Sequence, residues 1–500
     1  MNKYLCIHGH FYQPPRTNPW TGVIEEQKFA HPHHDWNERI AFECYTPNTH
    51  TQILNNQNQA FKVVNNFAQI SFNVGPTLLS WLELSVPDTY AAILEADKAG
   101  ARRFSGHGTA IAQVYNHMIM PLANDRDKVT QAIWGIRDFE HRFKRKPEGM
   151  WLPETAVDIR TLETLAEHGI LFTILAPAQA KRFKRLGDRT WIDVSEGTID
   201  TQFPYVCTLP SGKKINLFFY NGAIANEVAF GDLLRNGVNF ANRLVGEFPE
   251  HQKQSRLGHI ANDGETYGHH HSFGNMALAY MLYHVEVNQM AQVTIYGEFL
   301  EKFPPTHAVE INEDTSWSCF HGIERWRAHC GCRLEDKAQW NQEWRKYLRE
   351  SLDWLRDELV PVFEREMRPY DVDPWLVRDH YITVILDASE TAQQKFLKEI
   401  GAKGDPDGRR RVLTLLEMQR YAMLMYTSCG WFFDDISGLE AVQILQYAAR
   451  AMQLAKEATG KDFEEEFLRR LSSAKSNIPE QGNGRTIYQH YVKSAVQSGP

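Results

Sequence analysis

A change of pattern part-way along the chain places the strongest constraint on its fold. Through roughly the first 300 residues, short runs of β-branched and aromatic residues alternate with longer amphipathic stretches. This alternation is typical of βα units around a mostly parallel sheet. From about residue 310 onward the strand pattern fades and helix-forming sequence takes over. We therefore expect a β/α domain over residues 1–305 and an all-helical domain over residues 306–500.

Seven runs in the first part are predicted to be strands. They are KYLCI (3–7), QISFNV (69–74), GMWL (149–152), ILFTIL (170–175), INLFFY (215–220), GHIA (258–261) and VTIY (293–296). Strands at this spacing fit either a β/α barrel or an open doubly wound sheet. In the helical part, PDGRRR (406–411) and SNIPEQGNGR (476–485) are predicted to be loops.

Composition and charge indicate an ordinary globular protein. Hydrophobic residues make up 43% of the chain, and the formal net charge is −8 without a long run of one sign. A nucleic-acid partner is therefore not expected. A membrane partner is not expected either, because no stretch approaches the roughly 18 apolar residues that a spanning helix needs. The start MNKYLCIHGH lacks the apolar core of a signal peptide, and seven cysteines favour reduced thiols, so we expect a cytoplasmic protein.

The short motif HCGC (329–332) lies close to Cys319 and His321. Such a group could hold a metal or form a redox pair. Zinc sites usually show Cys-x₂-Cys spacing with a second pair, and that pair is missing here. We therefore interpret the motif as a tight glycine turn with free thiols.

Carboxylates directly follow two of the predicted strands. Glu154 comes just after Leu152, and Asp263 comes just after the run GHIA. In α/β folds ligands bind at the carboxyl ends of the strands, so both acids are expected over one mouth. Glycoside hydrolysis needs such a pair, because one carboxyl protonates the leaving oxygen while the other attacks or activates water. Alternatively, either acid could cap a helix, since one begins near Asp158.

Two histidines on the first predicted strand leave another chemistry open. His8 and His10 are two residues apart and share a face of the strand. With a carboxylate nearby they could ligate zinc, iron or manganese, as in a metal-dependent carbohydrate deacetylase or mannosidase. Polar contact with substrate or hydrogen bonding inside the core would equally explain them. A carbohydrate-binding protein without turnover is a further alternative.

Five segments, in chain order, resemble the conserved regions of glycoside hydrolase family 57, whose members process α-glucans such as starch and glycogen. They are HGHFYQPP (8–15), VYNHMIMPL (114–122), WLPET (151–155), DGETYG (263–268) and TSWSCFHGIERW (315–326). The first segment departs from the family's usual His-Gln-Pro, because Phe11 and Tyr12 separate His10 from Gln13.

The resemblance implies an incomplete (β/α)7 barrel followed by a helical domain that closes the substrate cleft. It also implies that Glu154 is the nucleophile and Asp263 the acid/base of a retaining double displacement, with carboxyl groups about 5 to 5.5 Å apart. The substrate would be an α-glucan, cleaved by hydrolysis or passed to another sugar. No metal and no cofactor are expected. Asp263 must then be protonated at the start, so a nearby carboxylate or a dry pocket should raise its pKa.

Further side chains are predicted to bind an oligosaccharide or polysaccharide substrate. Sugar rings pack their C–H faces on indole rings while polar groups take the hydroxyls. Core packing is the alternative for the tryptophans, and Glu265 could orient its loop instead. The predicted substrate-binding residues are His8, His10, Gln13, His117, Trp151, Glu265, Trp317 and His321.

Overall fold

Strands gather in the first part of the chain and helices dominate the last part, as the change of pattern predicts. In the computed structural model of the protein, residues 2–55, 57–250, 254–334, 337, 339–402 and 406–497 are described. The strands are β1 Lys3–Phe11, β2 Thr51–Leu54, β3 Ala60–Val64, β4 Ser71–Val74, β5 Ala112–Gln113, β6 Met150–Trp151, β7 Phe172–Leu175, β8 Ala180–Arg185, β9 Ile192–Asp193, β10 Pro204–Thr208, β11 Lys214–Phe219, β12 Arg256–Asp263, β13 Gln292–Val293 and β14 His307–Ile311. The helices are α1 Trp36–Ile40, α2 Thr46–Thr49, α3 Pro76–Ser85, α4 Pro87–Arg103, α5 Asp125–Phe143, α6 Ile159–Glu167, α7 Gly222–Phe230, α8 Gly237–Val245, α9 Gly274–Val287, α10 Tyr296–Lys302, α11 Trp344–Met367, α12 Pro374–His380, α13 Ile382–Leu386, α14 Glu390–Glu399, α15 Pro406–Leu424, α16 Leu439–Thr459, α17 Glu464–Leu471, α18 Gly484–Ile487 and α19 Lys493–Gln497.

The chain forms two compact units. The first contains the residues up to Gln13, Glu26–Val114 and Phe139–Trp317, and the second contains Pro14–Glu25, Tyr115–Asp138 and the residues from Ser318 onward. The first unit thus carries the strands, and its last segment ends at Trp317. The domain boundary near residue 305 stays a prediction.

A parallel arc of strands organises the first unit. Strand β1 pairs in parallel with β12 and with β4, β5 pairs with β6, and β7 pairs with β11. Parallel bridges join Phe72 to Ala110 and Gly149 to Phe172, which extends the arc in the order β12, β1, β4, β5, β6, β7 and β11. No ladder joins β11 to β12 among the described residues. The arc is therefore the incomplete (β/α)7 barrel that the sequence predicts.

Each predicted strand run overlaps an observed strand, but the membership of the arc differs from the prediction. The run at 293–296 contributes β13, which pairs with the first residues of β1 rather than extending the arc. Strand β5 was missed because it is only Ala112–Gln113, too short to show an alternation. Strands β8, β9, β10 and β14 were also missed, and they extend the sheet beyond β11 through antiparallel pairs and one parallel pair, β10 with β14.

Strand β1 lies in the centre of this unit and is buried along almost its whole length. Parallel strands covered on both faces normally carry apolar residues only. His8 and His10 lie on this strand and are buried. Because buried polar groups must be hydrogen-bonded, both imidazoles require specific partners.

The second unit is built on long helices, of which α11, α15 and α16 pack together. The predicted loop at 406–411 is wrong, because α15 begins at Pro406. Proline fits the first position of a helix, where no N–H is needed, so it marks a start here and not a break. The predicted loop at 476–485 is confirmed as far as Asn483, which caps α18. No helix in the described part of the chain is long and apolar enough to cross a membrane.

Candidate active site

The two predicted carboxylates lie at the carboxyl ends of arc strands. Asp263 is the last residue of β12 and stands in register with His10 of β1. Glu154 lies in the turn that directly follows β6. The negative charge of Glu154 raises the pKa of Asp263, which places the two groups within electrostatic reach of one another. The arc therefore brings together the acids that the sequence separates by more than a hundred residues.

The surroundings of Asp263 favour its protonated form. Its side chain is accessible to solvent, but protein surrounds it closely enough that loss of hydration raises its pKa well above the usual range. The charges of Glu265 and then Glu154 raise it further. This confirms the expected direction for a group that must begin as an acid. Tyr220, just beyond β11, lies close enough that burial and the charge of Asp263 raise its own pKa.

The backbone at Glu154 is left-handed, with φ 56° and ψ 19°, and Thr155 follows with φ 52°. Such a conformation costs a residue other than glycine about 1–3 kcal/mol, so neighbouring structure must hold it. The Trp317 N–H donates to the Glu154 carbonyl at 3.0 Å, and Thr315 bridges to Val157.

The same segment also holds the Glu154 side chain. The indole N–H of Trp317 donates to Oε2 of Glu154 at 2.9 Å. A hydrogen bond to the charged form of a carboxylate favours ionisation and fixes the oxygen in place. One carboxylate oxygen of Glu154 is therefore held by Trp317.

Glu265 is buried and tied to the segment after β1. Its Oε1 accepts hydrogen bonds from the Tyr12 backbone N–H at 3.0 Å and from the Tyr45 hydroxyl. Burial raises the pKa of Glu265 to about 7, although these bonds and one with Gln13 act in the opposite direction. Glu265 is only 4% exposed, and its hydrogen bonds join its own loop to Tyr12 and Tyr45. These contacts agree with the expected role of Glu265 in orienting its loop.

Strand register explains the environment of the two buried histidines. His8 stands beside Ser71 and His10 beside Asn73 in the β1–β4 ladder. The ring nitrogens of His8 lie 3.0 Å from Ser71 Oγ and 3.0 Å from Asn73 Oδ1. The amide of Asn73 donates to Nδ1 of His10 at 2.8 Å and also to Gln113.

These hydrogen bonds determine whether His8 and His10 are available to bind a metal ion. Burial lowers the pKa of His8 to about 3, so its ring is neutral. Both of its nitrogens are already paired, which leaves none for a metal ion. The hydrogen-bonded core alternative therefore fits His8, and a metal-dependent site built on His8 and His10 does not.

Aromatic rings fill the space beside the histidines. Trp151 stacks on His10 with ring centroids 4.8 Å apart and meets Trp317 edge-on at 5.1 Å. Trp151 is fully buried, so the expectation that it offers a face to a sugar does not fit the structure. Its position at the end of β6 puts it inside the arc, where it fills the core. Trp317 is only half-buried and keeps exposed ring surface.

Two of the predicted substrate contacts belong to the second unit. His117 is buried, and its Nδ1 lies 2.6 Å from Ser428 Oγ, while burial lowers its pKa to about 3. His321 is exposed and its Nδ1 lies 3.6 Å from the Cys332 sulfur. The interpretation of HCGC as a simple glycine turn is also incomplete. Gly331 has φ +81°, as a tight turn requires, but the flanking thiols meet other potential metal ligands.

Sequence reasoning missed Asn73, Tyr45 and Tyr220. Asn73 could have been suspected, because it is a polar residue inside a predicted strand and lies near its carboxyl end. Tyr220 is likewise the last residue of the predicted run INLFFY (215–220). Tyr45 lies in a short helical segment far from any motif, and no local signal marks it.

Comparison with known families divides the chain in a similar way. A family model described as glycosyl hydrolase family 57 matches residues 4–312. A model described as a domain of unknown function matches residues 340–499. Alpha-amylase 1 of Dictyoglomus thermophilum is 22% identical over 191 residues, which is 38% of this chain and 24% of that protein. The matched part of the chain thus spans about a quarter of that curated relative.

Solved structures show likeness over the whole chain. An exo-type maltose-forming amylase from Pyrococcus sp. ST04 has a TM-score of 0.72 at 14% identity, covering 99% of this chain and 92% of its own. A branching enzyme from Thermococcus kodakaraensis has a TM-score of 0.54 at 15% identity, covering 100% of this chain and 96% of its own. At these identities the likeness shows a shared fold.

Proposed function

Because the chain belongs to glycosyl hydrolase family 57, we propose that it acts on α-glucans by a retaining double displacement. The observation that carries the proposal is the pairing of Asp263, whose pKa is raised by loss of hydration and by two nearby carboxylates, with Glu154, whose carboxylate accepts a hydrogen bond from an indole N–H. One group is suited to donate a proton and the other to attack as an anion.

In the first step Asp263 donates its proton to the glycosidic oxygen, whose bond to the anomeric carbon breaks. Glu154 supplies the electron pair that forms the new bond to that carbon, which leaves a glycosyl ester on Glu154 and releases the leaving sugar as an alcohol. Once Glu265 is itself ionised, above its pKa of about 7, its negative charge further opposes the ionisation of Asp263.

In the second step the roles reverse. Esterified Glu154 is neutral, so one of the charges that raise the pKa of Asp263 is gone and Asp263 ionises more readily. Asp263 then takes a proton from the acceptor, whose oxygen attacks the anomeric carbon and releases Glu154. Water as acceptor gives hydrolysis, and a sugar hydroxyl gives transfer. The names of the amylase and the branching enzyme correspond to these two outcomes.

Around the carboxylates we assign different tasks to the other residues. Trp317 and Gln13, both half-buried, are proposed to contact the sugar. His8, His10 and Trp151 are buried and are proposed to be positioning residues. The roles of His117 and His321 in substrate binding and the cytoplasmic location stay predictions.

Incubation with maltoheptaose, with the products resolved by chain length, tests the proposal. Shorter products would indicate hydrolysis and longer ones transfer, while an unchanged substrate would contradict the α-glucan assignment. NMR of the first anomer released tests the stereochemistry, since an inverted product would rule out a double displacement. Glu196→Gln is the matched control, because Glu196 is exposed in the same unit and lies outside the site.

A further inference from the structure

Three thiols and one imidazole meet in the second unit. The four residues are Cys319, His321, Cys330 and Cys332, here called the thiol cluster, and their ligand atoms all lie within 4.8 Å of one another. The Cys319 sulfur lies 3.9 Å from that of Cys330 and 3.8 Å from that of Cys332. Nδ1 of His321 lies 3.6 Å from the Cys332 sulfur. It is the only such group of potential ligands within the described part of the chain.

These separations match the edges of a tetrahedron around zinc. With Zn–S bonds of about 2.3 Å and Zn–N bonds of about 2.0 Å, tetrahedral angles put two sulfurs roughly 3.8 Å apart and a sulfur and a nitrogen roughly 3.5 Å apart. A disulfide would instead bring two sulfurs to about 2.05 Å. The cluster therefore has the dimensions of a metal site and not those of a cystine.

We propose that the thiol cluster binds one zinc ion through all four side chains. Thiolate and imidazole are the ligands that zinc takes in structural sites, and four protein ligands leave no open position for a substrate. The ion would therefore be structural, whatever reaction the carboxylates perform, so the proposal does not rest on the proposed function.

The surroundings of the thiol cluster suit an anionic metal centre. Zinc with three thiolates and a neutral imidazole carries a net charge of −1. The guanidinium of Arg345 is buried, donates to the Cys332 carbonyl at 3.0 Å and lies close enough to interact with the charges of Cys330 and Cys332. Backbone N–H groups of His321 and Arg325 donate to the Cys319 sulfur. Such outer contacts orient the ligands and stabilise thiolates.

The segment that carries the thiol cluster has little regular structure of its own. Among its described residues, between Trp317 and α11, a single 3₁₀ turn at Glu324–Trp326 is present. Trp326 and Ile323 are nevertheless buried, so the irregular backbone is folded onto a core. A metal cross-link would supply the order that helices and strands do not, because binding free energy is also folding free energy.

Metal analysis of the full chain tests the proposal. Protein purified under reducing conditions without chelator, then offered zinc and desalted, should retain one equivalent. Cys332→Ser and Cys330→Ser should each lower bound zinc at least tenfold. Cys429→Ser is the matched control, since Cys429 lies in the same unit outside the cluster, and it should bind zinc normally. Equal zinc in Cys332→Ser and the unchanged protein would overturn the assignment.

A second measurement uses the unchanged protein and so does not depend on the folding of any variant. Replacing zinc with Co²⁺ in the unchanged protein should give the intense visible bands of tetrahedral cobalt together with thiolate charge-transfer absorption. Removing the metal with a strong chelator should lower the melting temperature, and added zinc should restore it. No bound metal after reconstitution, or a disulfide among the three thiols in protein kept under reducing conditions, would overturn the proposal.

Discussion

The carboxylate site and the thiol cluster differ in the structure that holds them. Glu154, Asp263 and Glu265 lie at or just after the carboxyl ends of arc strands. Backbone hydrogen bonds hold these strands together, and the three carboxylate side chains take no part in them. The members of the thiol cluster lie on a segment with one short turn and would be joined by their own side chains. The strands that carry the carboxylates can therefore form without those side chains. The segment that carries the thiol cluster would instead be held together by the thiols and the imidazole themselves.

This difference implies opposite responses to substitution. Replacing Glu154 or Asp263 by its amide should remove chemistry and leave the melting temperature nearly unchanged. Replacing a cysteine of the thiol cluster should lower stability.

The largest effect is expected for Glu154→Gln. Loss of the proposed nucleophile should lower kcat by roughly 10⁴-fold or more, because the proposed mechanism forms the glycosyl ester on the Glu154 carboxylate. The melting temperature should stay within a few degrees of the unchanged protein. Kinetics and calorimetry on the same preparation check both. A melting temperature of Glu154→Gln as low as that of Cys332→Ser would contradict the difference between the two sites.

Asp263→Asn is expected to lower kcat about 10²–10⁴-fold on an unactivated glucan, the usual worth of general acid catalysis. Activity requires protonated Asp263, so it is present below the raised pKa and lost as pH rises through it. The variant should therefore lack the basic limb of the kcat/KM profile. With an aryl glycoside that has a good leaving group, the substitution should lower the rate of the first step less than it does with a glucan. Equal losses on both substrates would contradict the acid role.

Glu265→Gln sharpens the comparison, because Glu265 is buried and should affect stability as well. The pKa of Glu265 is about 7 in the folded state and ordinarily 4.5, so folding favours its protonated form. The stabilisation is full below about pH 4.5 and is lost as pH rises through 7, which amounts to about 3 kcal/mol. The variant should not show this loss.

Melting temperatures at pH 5 and pH 8 check the effect of Glu265. The buried imidazoles of His8 and His117 have lowered pKa values and therefore act with the opposite sign, gaining stability as pH rises from about 3 to 6.5. They are common to both proteins and cancel in the difference. Parallel pH curves for variant and unchanged protein would show that Glu265 is not the titrating group.

The smallest effect is expected for Trp317→Phe, which keeps a ring and removes the N–H that donates to Glu154. Loss of one hydrogen bond to a charged group is worth about 1.5 kcal/mol, so kcat should fall about tenfold. KM should change less, since the ring face that could meet a sugar remains. A change confined to KM would show that Trp317 binds substrate but does not position Glu154.

The carboxylates could be predicted from the sequence because each follows its strand directly, and parallel strands present their carboxyl ends on one edge. The common face of His8 and His10 follows from the period of two. Their partners could not be predicted, because Ser71 and Asn73 depend on the register between β1 and β4. Trp151 was misjudged for a related reason, since position after a polar motif does not reveal burial.

The thiol cluster could not be predicted from the spacing of its residues in the sequence. Cys319 and His321 are two residues apart, as are Cys330 and Cys332, so neither pair has the spacing that usually indicates zinc. Their convergence depends on how the intervening irregular segment folds, and no periodicity encodes that path.

Residues 315–317 stabilise the turn at Glu154 through hydrogen bonds, and these contacts limit where the chain could be shortened. The family match ends at residue 312, which invites a fragment trimmed there. That fragment would contain both carboxylates but lose Thr315, which bridges to Val157, and Trp317, which donates to Glu154. The left-handed turn would then lose two of its supports, and the Glu154 carboxylate would lose the indole N–H that donates to it. A minimal barrel for engineering must therefore extend at least through Trp317, beyond the limit that sequence matching suggests.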